Sequence, residues 1–146
     1  MPLITRNNPK LTLEGARAVL AAAEKRAVEI GVPMDIAVVD DGGHLMAFIR
    51  MDGAKLSSIQ IALTKAVSAA IRRMPTGPMP PNEPNVLLSL GLAIGSHGQQ
   101  TPIRGGLPLV VEGIVVGAIG VSNGTEEQDT DVATAGVKAL GEELRT

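Results

Sequence analysis

The stretch that decides the fold is "VVDDGGHLMAFIRMDGA", residues 38–54. Two apolar runs meet across Asp41-Gly42-Gly43, and glycine adopts positive φ without a steric cost, so the pattern predicts a β-hairpin. Its strands read "MDIAVVD" (34–40) and "HLMAFIRM" (44–51). Two strands joined by so short a turn must run antiparallel. His44 stands at the mouth of the second strand. It reads either as a solvent-exposed turn residue or as a side chain that reaches a cleft.

Working outward, "LTLEGARAVLAAAEKRAVEI" (11–30) predicts a helix with an apolar stripe of Ala16, Leu20, Ala23, Ala27 and Ile30. Thr12 is its expected N-cap, and Gly31 followed by Pro33 ends it. "LSSIQIALTKAVSAAIRRM" (56–74) predicts a second helix with Ile59, Leu63, Ala66 and Ala70 toward the core. A separate face carries Ser58, Ala62, Lys65, Ala69 and Arg72. Five prolines in "PTGPMPPNEPN" (75–85) remove amide donors and block helix, so this is a loop or an extended cover. A short helix is expected at Val86–Leu92, then loop or edge strand through "GSHGQQTPIRGG". "LPLVVEGIVVGAIGVS" (107–122) repeats the hairpin signal, turning at Glu112-Gly113. "TEEQDTDVATAGVKAL" (125–140) closes with a helix whose Thr125 and Gln128 have capping-box spacing. Hairpins covered by helices make an α+β fold, in one domain over residues 1–146.

The chain has 146 residues, no Trp, Tyr or Cys, and Phe48 as its one aromatic. Its apolar positions are mostly small and aliphatic, so each supplies little buried area, and association of subunits is expected to bury more. The net charge of −2 and the lack of basic runs argue against nucleic acid as a partner. Without cysteine there is no disulfide, thiolate nucleophile or Cys-ligated metal. No apolar stretch is long enough to span a bilayer, and the opening "MPLITRNNPK" lacks a signal-peptide core, so a cytoplasmic location is expected.

His44 and His97 both stand by glycine-rich turns, and no HxxxH or HExxH spacing supports a metal site. Lys65 lies mid-helix among apolar residues. It reads as a surface lysine lying along the helix, or as a buried amine that serves as base or anion ligand. Arg72 and Arg73 fall where a helix dipole favours cations. Asp40, Asp41 and Asp52 flank the first hairpin and read first as turn chemistry. Gly105 and Gly106 offer backbone amides to a carboxylate or a cofactor edge, or simply form a turn. No nucleotide-binding glycine motif and no nucleophile elbow is present.

The segments "LTLEGARAVLAAA", "IAVVDDGGHLMAFIRMDGA", "SIQIALTKAVSAA", "GGLPLVVEGIVVGAIGVS" and "EQDTDVATAGVKAL" occur in an order that resembles the GlcG/HbpS family. That family includes haem-binding proteins and the C-terminal domain of PduO-type proteins. The resemblance covers nearly the whole chain. It implies a profilin-like fold, a five-stranded antiparallel sheet with helices packed on it, and homo-oligomers that are often octameric. It carries over His44 from the "GGH" turn, Lys65 from the second helix, Asp52 from "MDGA", Gly105 and Gly106 from "GGxP", and Glu127, Gln128 and Asp129 from "EQD". Residues 74–100, with the proline cluster and "GSHGQQ", depart from the pattern and are expected to border the pocket.

Three functions fit these residues. The first is haem or tetrapyrrole binding, with His44, His97 or a methionine as the axial ligand and Arg72, Arg104 or Lys65 pairing the propionates. The second is a catabolic enzyme acting on a small oxo-acid or ring-cleavage product by tautomerisation, hydration or hydrolysis. There Lys65 or Arg104 would hold a carboxylate, while Asp52, Glu127 or His44 moves protons. The third is a non-catalytic assembly or sensor subunit.

Overall fold

A computed structural model describes residues 1–145. Both predicted hairpins form, and together they make one antiparallel sheet. Strands β1 (Asp35–Asp40) and β2 (Leu45–Arg50) make the first hairpin, and β3 (Gly106–Val111) and β4 (Ile114–Ser122) the second. Their order across the sheet is β2-β1-β4-β3. Glu112 and Gly113 both have positive φ, which is what a two-residue hairpin turn requires.

Helices cover both faces. On one side lie α1 (Leu13–Ile30) and α4 (Glu126–Arg145). They bury Ala16, Val19, Ala23, Val132 and Ala133 against Ile36, Val38, Ile119 and Val121 of the central strands. On the other side α2 (Ser57–Arg72) covers Ala37, Val39 and Ala118. The alternation of side chains along β1 explains the split, since successive residues point to opposite faces. Helix ends behave as their sequences dictate. The Thr12 hydroxyl accepts the Gly15 amide at 3.1 Å, and Gly31 closes α1 in the left-handed region. Thr125 and Gln128 cap α4 reciprocally, at 2.9 and 3.2 Å.

Three expectations change. The sheet has four strands, not five. The Thr76 amide donates to the carbonyl of Gly106, the first residue of β3, and its hydroxyl accepts the Gly106 amide, but Pro75 and Pro78 near it have no amide to donate and no ladder forms. The buried face of α2 includes the small one, with Ser58, Ala62, Lys65 and Ala69 inside beside the expected Ala66 and Ala70, while Ile59 and Leu63 are only half-buried. The reason is opposite the helix: a Cβ on Gly120 would strike the Ala62 carbonyl and the Ala66 amide, and one on Gly106 the Lys65 carbonyl. Glycine strands let backbones approach closely, so small residues fill the seam. Finally, the helix α3 (Val86–Gly95) extends past Leu92, and residues 96–105 take the loop alternative.

Candidate functional site

The sequence candidates do not converge on one place. Lys65 comes together with Gly105 and Gly106. Its side chain is 1% exposed, and its Nζ donates to Asp129 Oδ2 and to the Val121 carbonyl, both at 2.8 Å. Asp129 also accepts the Gly124 amide at 2.8 Å. Burial pushes the Asp129 carboxyl up, against the pull of Lys65 and of that amide. A Cβ on Gly105 would stand 2.9 Å from Lys65 Nζ and 2.7 Å from the Val121 carbonyl. These glycines therefore make room for the lysine, which is closed off from solvent. Asp52 and Glu127 are exposed, and among the described residues no hydrogen bond or ion pair joins either to Lys65. The partner from the last helix is Asp129, two residues beyond Glu127.

His44 stands at the β1–β2 turn with its side chain 82% exposed. Its Nδ1 lies 3.2 and 3.3 Å from the two oxygens of Asp40. Asp40 Oδ1 in turn accepts the amides of Gly42 and His44, each at 2.9 Å. Desolvation pushes the Asp40 carboxyl upward, but these amides and the imidazole outweigh it and hold it below the usual range. Nε2 has no protein partner among the described residues. Arg73 donates to the Asp41 carbonyl at 2.7 Å, and Lys10 pairs with the Asp41 carboxylate at 2.8 Å. Gly43 lies against Val67 and Ile71 of α2. Sequence reasoning named neither Asp40 nor Arg73 as a site residue. The signal available was Asp40 four residues before His44, and Arg73 as the last cation of the helix.

His97 is exposed beyond the end of α3. It lines a cleft of about 180 Å³ with Gln60, Leu63, Thr64 and Val67. Arg72 and Arg104 lie elsewhere, beside the excursion formed by residues 74–104. Arg72 borders a narrow slot with Met79, Ser89 and Thr101. Arg104 borders a hollow of about 220 Å³ with Met74, Pro78 and Met79. It pairs with Glu126 at 3.4 Å. No group of three or more His, Cys, Asp or Glu side chains is placed to hold a metal among the described residues. No described helix is long and apolar enough to cross a membrane.

Residues 11–138 match the family described as "Haem degrading protein HbpS-like". The chain is 36% identical over 112 residues to protein GlcG of Escherichia coli (strain K12), spanning 77% of this chain and 81% of that one. Among solved structures, Klebsiella pneumoniae protein ORFY superposes with a TM-score of 0.82 at 34% identity, covering 96% of this chain and 98% of that one. A PduOC:heme complex superposes with a TM-score of 0.79 at 29% identity, covering 90% and 95%.

Proposed function

Because this chain belongs to the HbpS-like family, we propose that it binds haem or a related tetrapyrrole at the turn that carries His44. The observation that carries the reading is the Asp40–His44 contact. A histidine that ligates a metal commonly gives its other ring nitrogen to a carboxylate, which fixes the ring and the tautomer. Here Nδ1 faces Asp40 and Nε2 is left for a ligand. The donor set agrees: with no Cys or Tyr, the usual axial ligands reduce to His44, His97 and methionine, and His44 alone of the two histidines has a carboxylate partner. The heme complex of a relative with this fold supports the same class of ligand.

The surroundings suit a flat apolar ring with acidic substituents. Val67 and Ile71, which stand beside Gly43, offer an aliphatic shelf at the turn. Lys10 and Arg73, rather than Arg72 or Arg104, stand at the same turn and would pair carboxylates. A shelf covers one face of a ring, so a second copy of the chain would cover the other. When bound, haem would supply a redox-active iron; the protein's share is to orient the imidazole, pair the acids and exclude water. The enzyme reading gains no support from geometry, since Lys65 is sealed and Asp52 and Glu127 stand apart from it.

Haem titration tests the proposal. With no Trp or Tyr the apo-protein barely absorbs at 280 nm, so a Soret band stands out. We expect His44→Ala to remove the band, His97→Ala to keep it, and Asp40→Asn to weaken affinity by about 10–100-fold. A band unchanged in His44→Ala would refute the assignment.

A further inference from the structure

We propose that the 74–104 excursion forms a second site, one that takes a small apolar carboxylic acid and holds its carboxylate on Arg104. The site does not use His44 and does not rest on the haem reading. Between Pro78, Val86, Leu90, Pro102, Ile103 and the side chain of Glu126 lies a hollow of about 360 Å³ with walls that are almost wholly apolar. The smaller Arg104 hollow adjoins it: Pro78 lines both, and the Arg104–Glu126 pair joins the two.

The walls are held from within. Thr76 and Gly106 exchange hydrogen bonds at the root of the loop. The Ser89 hydroxyl accepts the Met79 amide at 3.0 Å, and the Asn85 side chain caps α3 by accepting the Leu88 amide at 3.1 Å. Glu126 accepts both the Arg104 amide and its guanidinium, each at 3.4 Å, so it positions the arginine through long, solvent-screened bonds. A guanidinium carries five donors in a planar fork. Only one is engaged here among the described residues, which leaves an edge free for bidentate capture of a carboxylate.

Charge and size narrow the ligand. From Pro84 to Ile103 the chain carries no Asp, Glu, Lys or Arg, so the wall recognises hydrocarbon. Glu126 already pairs with one edge of Arg104, so a single ligand carboxylate takes the free edge of the guanidinium. The volume lies near the lower end of ligand pockets, which favours a compact acid over a macrocycle.

The test is calorimetric titration of octanoate into the full chain, with octanamide as the neutral isostere and amide NMR shifts to locate binding. We expect saturable octanoate binding that shifts Leu90, Ile103 and Arg104, at least about tenfold tighter than octanamide. Arg104→Gln should reduce octanoate to the octanamide level. Leu90→Glu, at an exposed position that leaves folding intact, should abolish binding by putting a carboxylate, unpaired unlike that of Glu126, where the hydrocarbon chain would lie. His44→Ala should leave octanoate affinity unchanged. The proposal is overturned by no saturable binding, by equal affinity for acid and amide, by Arg104→Gln without effect, or by loss of octanoate binding in His44→Ala.

Discussion

Ala62 on α2 and Leu90 on α3 are both apolar helix residues, yet Ala62 is sealed against the sheet while Leu90 is 52% exposed. The same contrast separates the sheet with its three covering helices from the 74–104 excursion. In the body, small residues are buried because glycine strands bring a backbone to meet them. In the excursion, larger residues stay exposed because nothing in the same chain faces them. Of the ten residues in α3, only Ser89 is buried. Hydrophobicity alone does not decide which element closes on the core; the surface opposite does. The two cations on either side of Gly105 follow this division. Lys65 is spent on an internal ion pair, and Arg104 keeps free donors at the edge of a hollow.

The sharpest way to break the contrast is to remove the cation from the sealed region. Lys65→Met leaves Asp129 buried with the Gly124 amide as its remaining partner. An unpaired buried charge costs about 3–5 kcal/mol. We expect a loss of that order in denaturant unfolding, most of it recovered when Asp129→Leu is added. If Lys65→Met unfolds like the wild type, the pair is not what ties α4 to the sheet.

A smaller effect is expected at Asp35, the one described side chain whose buried oxygens have no hydrogen-bond partner. It lies across from Arg50 and Ser122 in the register. Desolvation pushes its carboxyl up, partly opposed by Arg50. A raised folded value means that the stabilising contribution is complete below the unfolded value of about 3.8 and is lost as pH rises through the folded one. The wild type should therefore lose stability across that window, and Asp35→Asn should lose less. Near neutral pH the variant should be the more stable of the two, because its amide, although still buried, carries no charge to desolvate. Asp129 has the same sign, so the readout is the difference between the two stability–pH curves. A variant curve parallel to the wild type's would show that Asp35 is satisfied.

Much of the body was legible because its signals are local. The turns at Asp41-Gly42-Gly43 and Glu112-Gly113, the Thr12 cap and the Thr125–Gln128 box each need only a few neighbouring residues, and each formed. What failed depended on distant surfaces. Ile59 and Leu63 looked like the inner face of α2 until Gly106 and Gly120 lay opposite it. The resemblance implied a fifth strand, but residues 74–105 add no strand to the sheet, and the prolines among them carry no amide for a ladder. The site divides in the same way. His44 was visible in its turn, and so was Asp40, although as a turn acid. The Lys65–Asp129 pair spans 64 positions, and no spacing rule announces it.

The smallest thermal effect is expected on α3, where the contrast is tested from the exposed side. Val86, Leu87 and Ile94 are each more than three-quarters exposed in a single chain. A double variant Leu87→Ser/Ile94→Ser removes nothing that the chain itself packs, so the stability of the isolated subunit should change by no more than about 0.5 kcal/mol. Contiguous apolar surface of this kind is where soluble proteins meet partners, and α3 carries no charge to oppose a second copy. A stable interface needs about 800 Å² from each partner, which α3 can seed but must share with the neighbouring loop. We therefore expect the wild type to sediment as an assembly and the double variant as a smaller species with nearly the same unfolding midpoint. Wild-type and variant chains that sediment alike would leave α3 as a wall of the hollow alone. A large drop in the variant's midpoint as a dissociated subunit would show that α3 is packed within its own chain, and the contrast with α2 would fall.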